Sequence, residues 1–406
     1  MDTTGADPGL ERRLHAGFAS RRLHPDPGAG PLELSGYVAR TQPATGVRDP
    51  LRVDALALAT EAAPPLLLVA LDLCAADAAL VSALTAACPL GAGRVQIVCS
   101  HTHSAPAAYH LLGCGRPHPA YLRHLVATAA ATARVALDAL APCRLGWGQA
   151  VVDPLWTNRR DPAGVVDPRL RALKIERADD LRTPVCLVWS APCHPVVLEA
   201  TERRISADWV GVVRARLSYP SLFVPGCCGD QNPRRRGEAA LADWTWVADR
   251  LHALWGATAT AGTGPLAAAA AELALPRQPG DDPTQAGGPR PPGWETVARP
   301  GRPVPPTAAQ ACAWRIGNGR LLFWPGEPHA ALAQGLPADC LATGHTGASC
   351  GYIPERAAYA AGGYEVASAH RYYGFASALA PEAGEMLRRV GGSLLDAVGG
   401  MPRAAP

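Results

Sequence analysis

Lysine is almost missing from this chain: Lys174 stands alone among 38 basic residues, and the others are arginine. Acidic residues number 35, so the formal net charge is only +3, and charged residues make up 18% of the whole. Arg159-Arg160, Arg203-Arg204 and Arg234-Arg235-Arg236 are scattered, with no aromatic side chains between them, which excludes a nucleic-acid-binding surface. The arginine, alanine and proline bias reads as high-GC coding, expected of a bacterium. No Cys-x-x-Cys pair occurs among the twelve cysteines, which rules out a cysteine zinc ribbon. Cys74, Cys88, Cys99, Cys186 and Cys312 sit inside apolar patterns and read as buried free thiols, as do the adjacent Cys227 and Cys228, which are poorly placed to share one metal ion. No apolar run can span a bilayer, because the longest, Pro64 to Leu90, is interrupted by Asp72 and Asp77. The opening residues carry acids where an export signal has a basic start, and no apolar segment follows, so the expected location is the cytoplasm. There is no tandem repeat.

What is present suits a sizeable core: 406 residues, 48% of them hydrophobic. Strand-like and helix-like patterns interleave. Leu51 to Ala59 and Pro65 to Leu73 read as strands, Ala75 to Ala87 and Tyr121 to Leu140 as helices, and Arg94 to Val98 as a strand. Leu170 to Arg177 and Thr183 to Ser190 are strands, Asp208 to Ser218 is a helix, Leu222 to Val224 a short strand and Ala239 to Trp255 a helix. Ala311 to Trp324 forms a hairpin over Gly317-Asn318-Gly319. The pattern predicts an α/β fold, a mixed β-sheet core flanked by helices, as a single domain over 1–406. Residues 276–306 break the rhythm with Pro, Gly, Arg and Asp around a lone large aromatic, Trp294. This segment is either a surface insertion or a lid with Trp294 or an arginine facing substrate.

The chemistry gathers at strand ends. Cys99-Ser100-His101-Thr102-His103-Ser104-Ala105-Pro106 places two imidazoles at i and i+2 after a strand, and in extended backbone alternate side chains share a face. Imidazole suits zinc, whose sites collect ligands from distant parts of a chain. Taken alone, the pair is equally compatible with surface or structural histidines. His194 before a proline could be a structural hydrogen-bonding residue, and Glu327 a turn carboxylate.

Six segments in order resemble the neutral ceramidases, zinc-dependent amide hydrolases. These are His101-Thr102-His103-Ser104-Ala105-Pro106, Trp156-Thr157-Asn158-Arg159, Ala191-Pro192-Cys193-His194-Pro195, Gly226 to Pro233, Pro325-Gly326-Glu327-Pro328, and Gly351-Tyr352-Ile353-Pro354 with Tyr359 and Gly363-Tyr364-Glu365. The resemblance implies a ceramidase-like catalytic domain with its metal site at strand-end loops. It implies Zn²⁺ held by His101, His194, Glu327 and Tyr352, where it would lower the pKa of a water and polarise a carbonyl. It makes His103 the residue that holds substrate or passes a proton to the leaving amine. Arg159 and Tyr364 would then donate hydrogen bonds to substrate or to the oxyanion. His110, His118, His124, His329 and His345 match no role and read as surface or structural.

Two departures shape the functional expectation. The family's glycine-rich loop presents a serine where this chain has Asn232, so a covalent serine route is closed there, while Asn232 could still orient substrate or donate to an oxyanion. The chain is also too short for the additional C-terminal domain of secreted ceramidases. The expectation is hydrolysis of the C–N bond of a small soluble N-acyl amine by metal-activated water. The alternatives are a cyclase or acyl-transfer enzyme forming a lactam or amide at the same site, and a metal-containing binding protein without catalysis. The partner in each case is a small molecule, with no nucleic acid and no stable membrane insertion.

Overall fold

The run Leu66-Leu67-Leu68-Val69-Ala70-Leu71 is apolar at every position, which suits a strand covered on both faces. In the computed structural model, which describes residues 13–23, 30–61, 63–88, 90, 93–180, 183–262, 264–281 and 288–399, it belongs to the strand Ala63–Leu71 inside an eight-stranded sheet. Leu66, Leu68 and Ala70 face one core; Leu67, Val69 and Leu71 face another. The strand order is Ser221–Phe223, Pro184–Ser190, Arg169–Arg177, Ala141–Val151, His15–Arg22, Arg52–Thr60, Ala63–Leu71, Val95–Cys99. The inner pairs are antiparallel and the two edge pairs parallel.

A second, four-stranded sheet follows the order Leu266–Leu275, Thr307–Ile316, Gly319–Phe323, Cys340–Thr343, and its last pair is parallel. Trp314, Leu321, Phe323 and Leu341 pack between the sheets against Leu56, Leu68, Val98 and Val188. The helices Ala78–Ala86 and Pro119–Asp138 cover the large sheet's outer face through Leu80, Leu84, Leu125 and Ala133. Trp209–Arg216 and Thr245–Ala257 do the same further along through Trp209, Val213, Val247 and Leu251. The amphipathic helix Glu382–Gly399 covers the small sheet with Leu387, Leu394, Leu395 and Val398. The expected mixed α/β core is present, layered as helix, sheet, sheet, helix.

Four strands of the two main sheets escape the sequence pattern: His15–Arg22, Ala141–Val151, Cys340–Thr343 and Leu266–Leu275. The last contains five consecutive alanines, a helix former's composition, yet pairs over all its ten residues with Thr307–Ile316, so sheet pairing overrides local propensity. The helix expected over Ala239 to Trp255 is a 3₁₀ segment, Glu238–Trp244, running into the helix Thr245–Ala257. In the Pro/Gly-rich segment, residues 282–287 lie outside the described residues, as do residues 1–12, on which the export-signal reading rests. Trp294 is fully buried rather than facing substrate: its indole N–H donates to Phe375 O at 3.0 Å and the Arg371 guanidinium stacks on it at 4.8 Å. All twelve cysteines are buried and unpaired. Among the described residues, no helix is long and apolar enough to cross a membrane.

Parallel pairing sets up the site. Val95–Cys99 leads into His101, Pro184–Ser190 into His194, Ser221–Phe223 into Asp230, Gly319–Phe323 into Glu327 and Cys340–Thr343 into His345. Each of these strands belongs to a parallel pair, and the carboxyl ends of such strands are where α/β folds gather their reactive groups.

Candidate metal centre

His101 leaves its strand abruptly, at φ 67°. The left-handed region costs a residue with a Cβ about 1–2 kcal/mol, so the surrounding structure must hold it there. Its N–H donates to Leu73 O at 2.9 Å, and Cys99 N–H donates to His345 O at 3.0 Å. The two imidazoles of the His-x-His pair do converge, with Nε2 atoms 3.3 Å apart, but through this turn and not by alternation along an extended strand. The His103 ring fills the space beside Gly36, where φ is +98° and an added Cβ would lie 2.4 Å from the ring. Arg40 fixes the His103 carbonyl at 2.6 Å.

The second and third groups arrive from distant strands. His194 presents Nε2 to Glu327 Oε2 at 3.2 Å, and His101 Nε2 meets the same oxygen at 3.3 Å. On their other sides, His101 Nδ1 lies 2.7 Å from Cys74 O and His194 Nδ1 lies 3.1 Å from Gln231 O. A carbonyl only accepts, so each Nδ1 carries a hydrogen, and whenever a ring is neutral its Nε2 lone pair faces Glu327. Three acceptors thus crowd one point, all three residues being 1–2% exposed. Such a group is stable only with a positive charge among its members, whether a metal ion or a proton on His101.

The electrostatics show which charge the group takes on its own, a proton on His101. Burial disfavours a charged His101, but the Glu327 carboxylate beside it wins and raises its pKa. Burial works against the Glu327 carboxylate too, yet His101 holds it well below the usual range. Burial lowers His194 to about 4 and also lowers His103 and His345. The cluster therefore draws positive charge to one place, the His101 and Glu327 contact. Two imidazoles with both Nδ1 atoms pinned to carbonyls, plus one carboxylate, match the ligand chemistry of a divalent ion such as zinc. Cys74, His101 and His103 form a second grouping, with Cys74 Sγ 4.0 Å from His101 Nδ1, but that nitrogen is already engaged by Cys74 O.

A cavity of about 290 Å³ opens on this cluster, walled by Tyr37, Val38, Leu111, Cys114, Tyr352, Tyr364, Tyr372 and Tyr373. His101, His103 and Glu327 line it directly. Tyr352, expected as the fourth ligand, lies in the same wall with the Arg159 guanidinium over its ring at 5.3 Å. The phenol hydrogen-bonded to Glu327 is a different one, Tyr373, whose O–H donates to Oε1. Tyr364 is 41% exposed at the rim, with Arg159 over its ring at 6.0 Å. Arg159 is fixed by Glu365 Oε1 at 2.8 Å and reaches Asn232 Oδ1 at 3.5 Å. Asn232 itself lies in the short strand Gln231–Pro233, paired with Trp156–Asn158, and is not a cavity wall. Asp230 is spent on structure: its carboxylate accepts from Asn158 Nδ2 and from Ala330 N–H.

Two residues beside the cluster were missed. His345, read as surface or structural, is buried with its ring stacked 4.0 Å from that of His101, and it too has a left-handed φ, of 55°. Tyr373 sits in Arg371-Tyr372-Tyr373-Gly374-Phe375, which carries no motif. The one available signal was that His345 follows a strand end, as His101 and His194 do.

The architecture has known counterparts. The chain superposes on a ceramidase complexed with C2 with a TM-score of 0.77, at 16% sequence identity, over 96% of this chain and 75% of that one. It superposes on the crystal structure of neutral ceramidase from Pseudomonas aeruginosa with a TM-score of 0.73, also at 16% identity, over 96% and 74%. The chain therefore has a ceramidase-like fold. No family model matches the sequence, and no curated protein sequence matches it.

Proposed function

We propose that this ceramidase-like chain is a zinc-dependent hydrolase of the C–N amide bond of a small N-acyl amine. The observation that carries the reading is the meeting of two imidazole Nε2 atoms and one carboxylate oxygen at 3.2–3.3 Å on the wall of a cavity. His101, His194 and Glu327 would hold the ion, with Tyr352 of the cavity wall as the fourth ligand that the resemblance implies. Zinc bound there lowers the pKa of a water and polarises the scissile carbonyl.

The chain's own groups supply the rest. His103 offers its ring to the cavity beside His101 and would hold a proton for the departing amine. Tyr364 at the rim, and Arg159, which is anchored by Glu365 and stacks on Tyr352 and Tyr364 without lining the cavity itself, would donate hydrogen bonds to the acyl oxygen. Asn232 steadies Arg159 and offers no nucleophile. The cavity, about 290 Å³ and lined largely by aromatic and aliphatic side chains, is at the small end of ligand sites. That size favours a compact apolar acyl group over a long chain.

The test is elemental analysis of the purified protein followed by turnover of N-acyl amines graded by acyl length. Near-stoichiometric zinc with hydrolysis that falls as the acyl group lengthens is the expected result. Metal without turnover of any amide would overturn the hydrolase reading, and turnover undiminished by chelation would overturn the metal.

A further inference from the structure

Glu327 does not present its two oxygens alike. Oε2 faces both His101 and His194, while Oε1 accepts the hydroxyl of Tyr373, so one carboxylate is divided between the centre and a single phenol. The arrangement is well braced. Glu327 N–H donates to Gly351 O at 2.9 Å, which fixes its backbone at the register where Glu327 pairs with Tyr352. The Tyr373 ring packs against that same Gly351: a Cβ there would lie 3.6 Å from the ring. Behind it, the ring stacks on Phe375 with centroids 6.2 Å apart and planes 12° apart, and the Arg277 guanidinium caps Phe375 at 3.7 Å. Tyr109 O–H donates to the Tyr373 carbonyl at 2.9 Å. The ring has little room to swing, and its hydroxyl meets a carboxylate that is 1% exposed.

We propose that Tyr373 is the positioning residue of the metal centre: by occupying Oε1 it makes Glu327 offer Oε2 alone, and so sets both the aim and the donor strength of the carboxylate. The inference rests on the reading of His101, His194 and Glu327 as ligands. Without the phenol, Oε1 would be a buried, unsatisfied acceptor free to turn toward the ion, and the carboxylate could rotate about its terminal bond. Groups that orient metal ligands in this way typically govern affinity by 10- to 100-fold.

The test uses full-length protein, stripped and reloaded with Zn²⁺ or with Co²⁺ as a spectroscopic probe. Tyr373→Phe removes one oxygen and keeps the ring. Its Zn²⁺ dissociation constant should rise about 10- to 100-fold, and the visible absorption of its Co²⁺ form should shift in position or intensity as the carboxylate changes how it binds. Tyr372→Phe, which alters another phenol of the same cavity that makes no bond to Glu327, should change neither. A Tyr373→Phe protein with wild-type affinity and a wild-type Co²⁺ spectrum would overturn the proposal. If that variant does not fold, Phe375→Leu, which loosens the ring and leaves the hydroxyl, decides instead: a weaker site with an altered spectrum supports it, and unchanged values overturn it. Wild-type protein that binds neither ion would overturn the metal reading itself, a result distinct from either outcome for Tyr373.

Discussion

Under the large sheet, Arg214 lies between Asp72 and Asp54, and at the strand ends Glu327 lies between His101 and His194; all six side chains are almost entirely buried. Arg214 bonds directly to Asp72 and stands 3.5 Å from Asp54, while Arg52 N–H donates to Asp72 at 2.8 Å. That cluster contains its own cation. Burial opposes the charge on Arg214, but the two carboxylates keep its pKa raised. The Glu327 cluster has no permanent cation: with both Nδ1 hydrogens committed to backbone carbonyls, only a proton on His101 or a metal ion supplies one. Equal burial with opposite completeness separates a cluster that holds the fold from one arranged to hold something else.

The sharpest way to break this comparison is to remove members of the incomplete cluster. His101→Ala or His194→Ala should strip most bound zinc and lower activity by well over about 10²-fold, exceeding the loss of an orienting group alone. Elemental analysis that found full zinc in both variants would leave the two clusters indistinguishable.

Next in size is the complete cluster. Arg214→Met should cost about 3–5 kcal/mol, because it strands buried carboxylates, yet leave zinc content unchanged. Denaturant unfolding with parallel metal analysis checks both halves. The cost should also depend on pH. Burial raises Asp54 from the ordinary 3.8 to about 6, so the folded state prefers its protonated form, and Asp54 weakens the fold as pH rises through that range. The Arg214→Met deficit should therefore shrink when unfolding is measured below pH 6 and widen above it.

Chelation comes third. Stripping zinc should lower stability by about 3 kcal/mol when free metal stands at 100 times the dissociation constant. Because the clusters share no partner, the decrement should be the same in Arg214→Met as in the wild type. A calorimetric cycle showing strong non-additivity would join what we describe as separate. The smallest effect concerns Asn232. Its oxygen points to Arg159 and it is no cavity wall, so Asn232→Ala should lower kcat by only about tenfold, short of the 10²–10³ of a lost oxyanion donor. A 10³-fold loss would return Asn232 to direct contact with the reacting atoms.

His101, His194 and Glu327 were legible because each follows a recognisable strand end and stands in a segment resembling known ones. Tyr373 and His345 were not. Their places beside the cluster depend on ring stacking and on one hydrogen bond to a carboxylate far away in sequence, which no local pattern encodes. The left-handed backbone at His101 and His345 was equally hidden, since nothing in either residue type asks for it. Among the strands, Ala63–Leu71 announced itself by its apolar run, whereas Leu266–Leu275 looked helical because alanine's preference is local and its pairing partner is not. Trp294 was hidden by its surroundings: prolines and glycines describe a loop well, but they do not reveal that its one large ring is buried against Phe375 and Arg371.

Parallel strand ends bring the centre together from far along the chain; His194 and Glu327 alone are 133 residues apart. Contacts of such long range form late, after most of the loop-closure entropy has been lost. An ion that needs the finished geometry therefore cannot hasten folding, and its stabilisation must fall on the return path. Refolding of the stripped and loaded protein should proceed at the same rate, while the loaded form unfolds more slowly. In a cell, the metal would then act less as a template for this protein than as the latch that fixes its lifetime once folded.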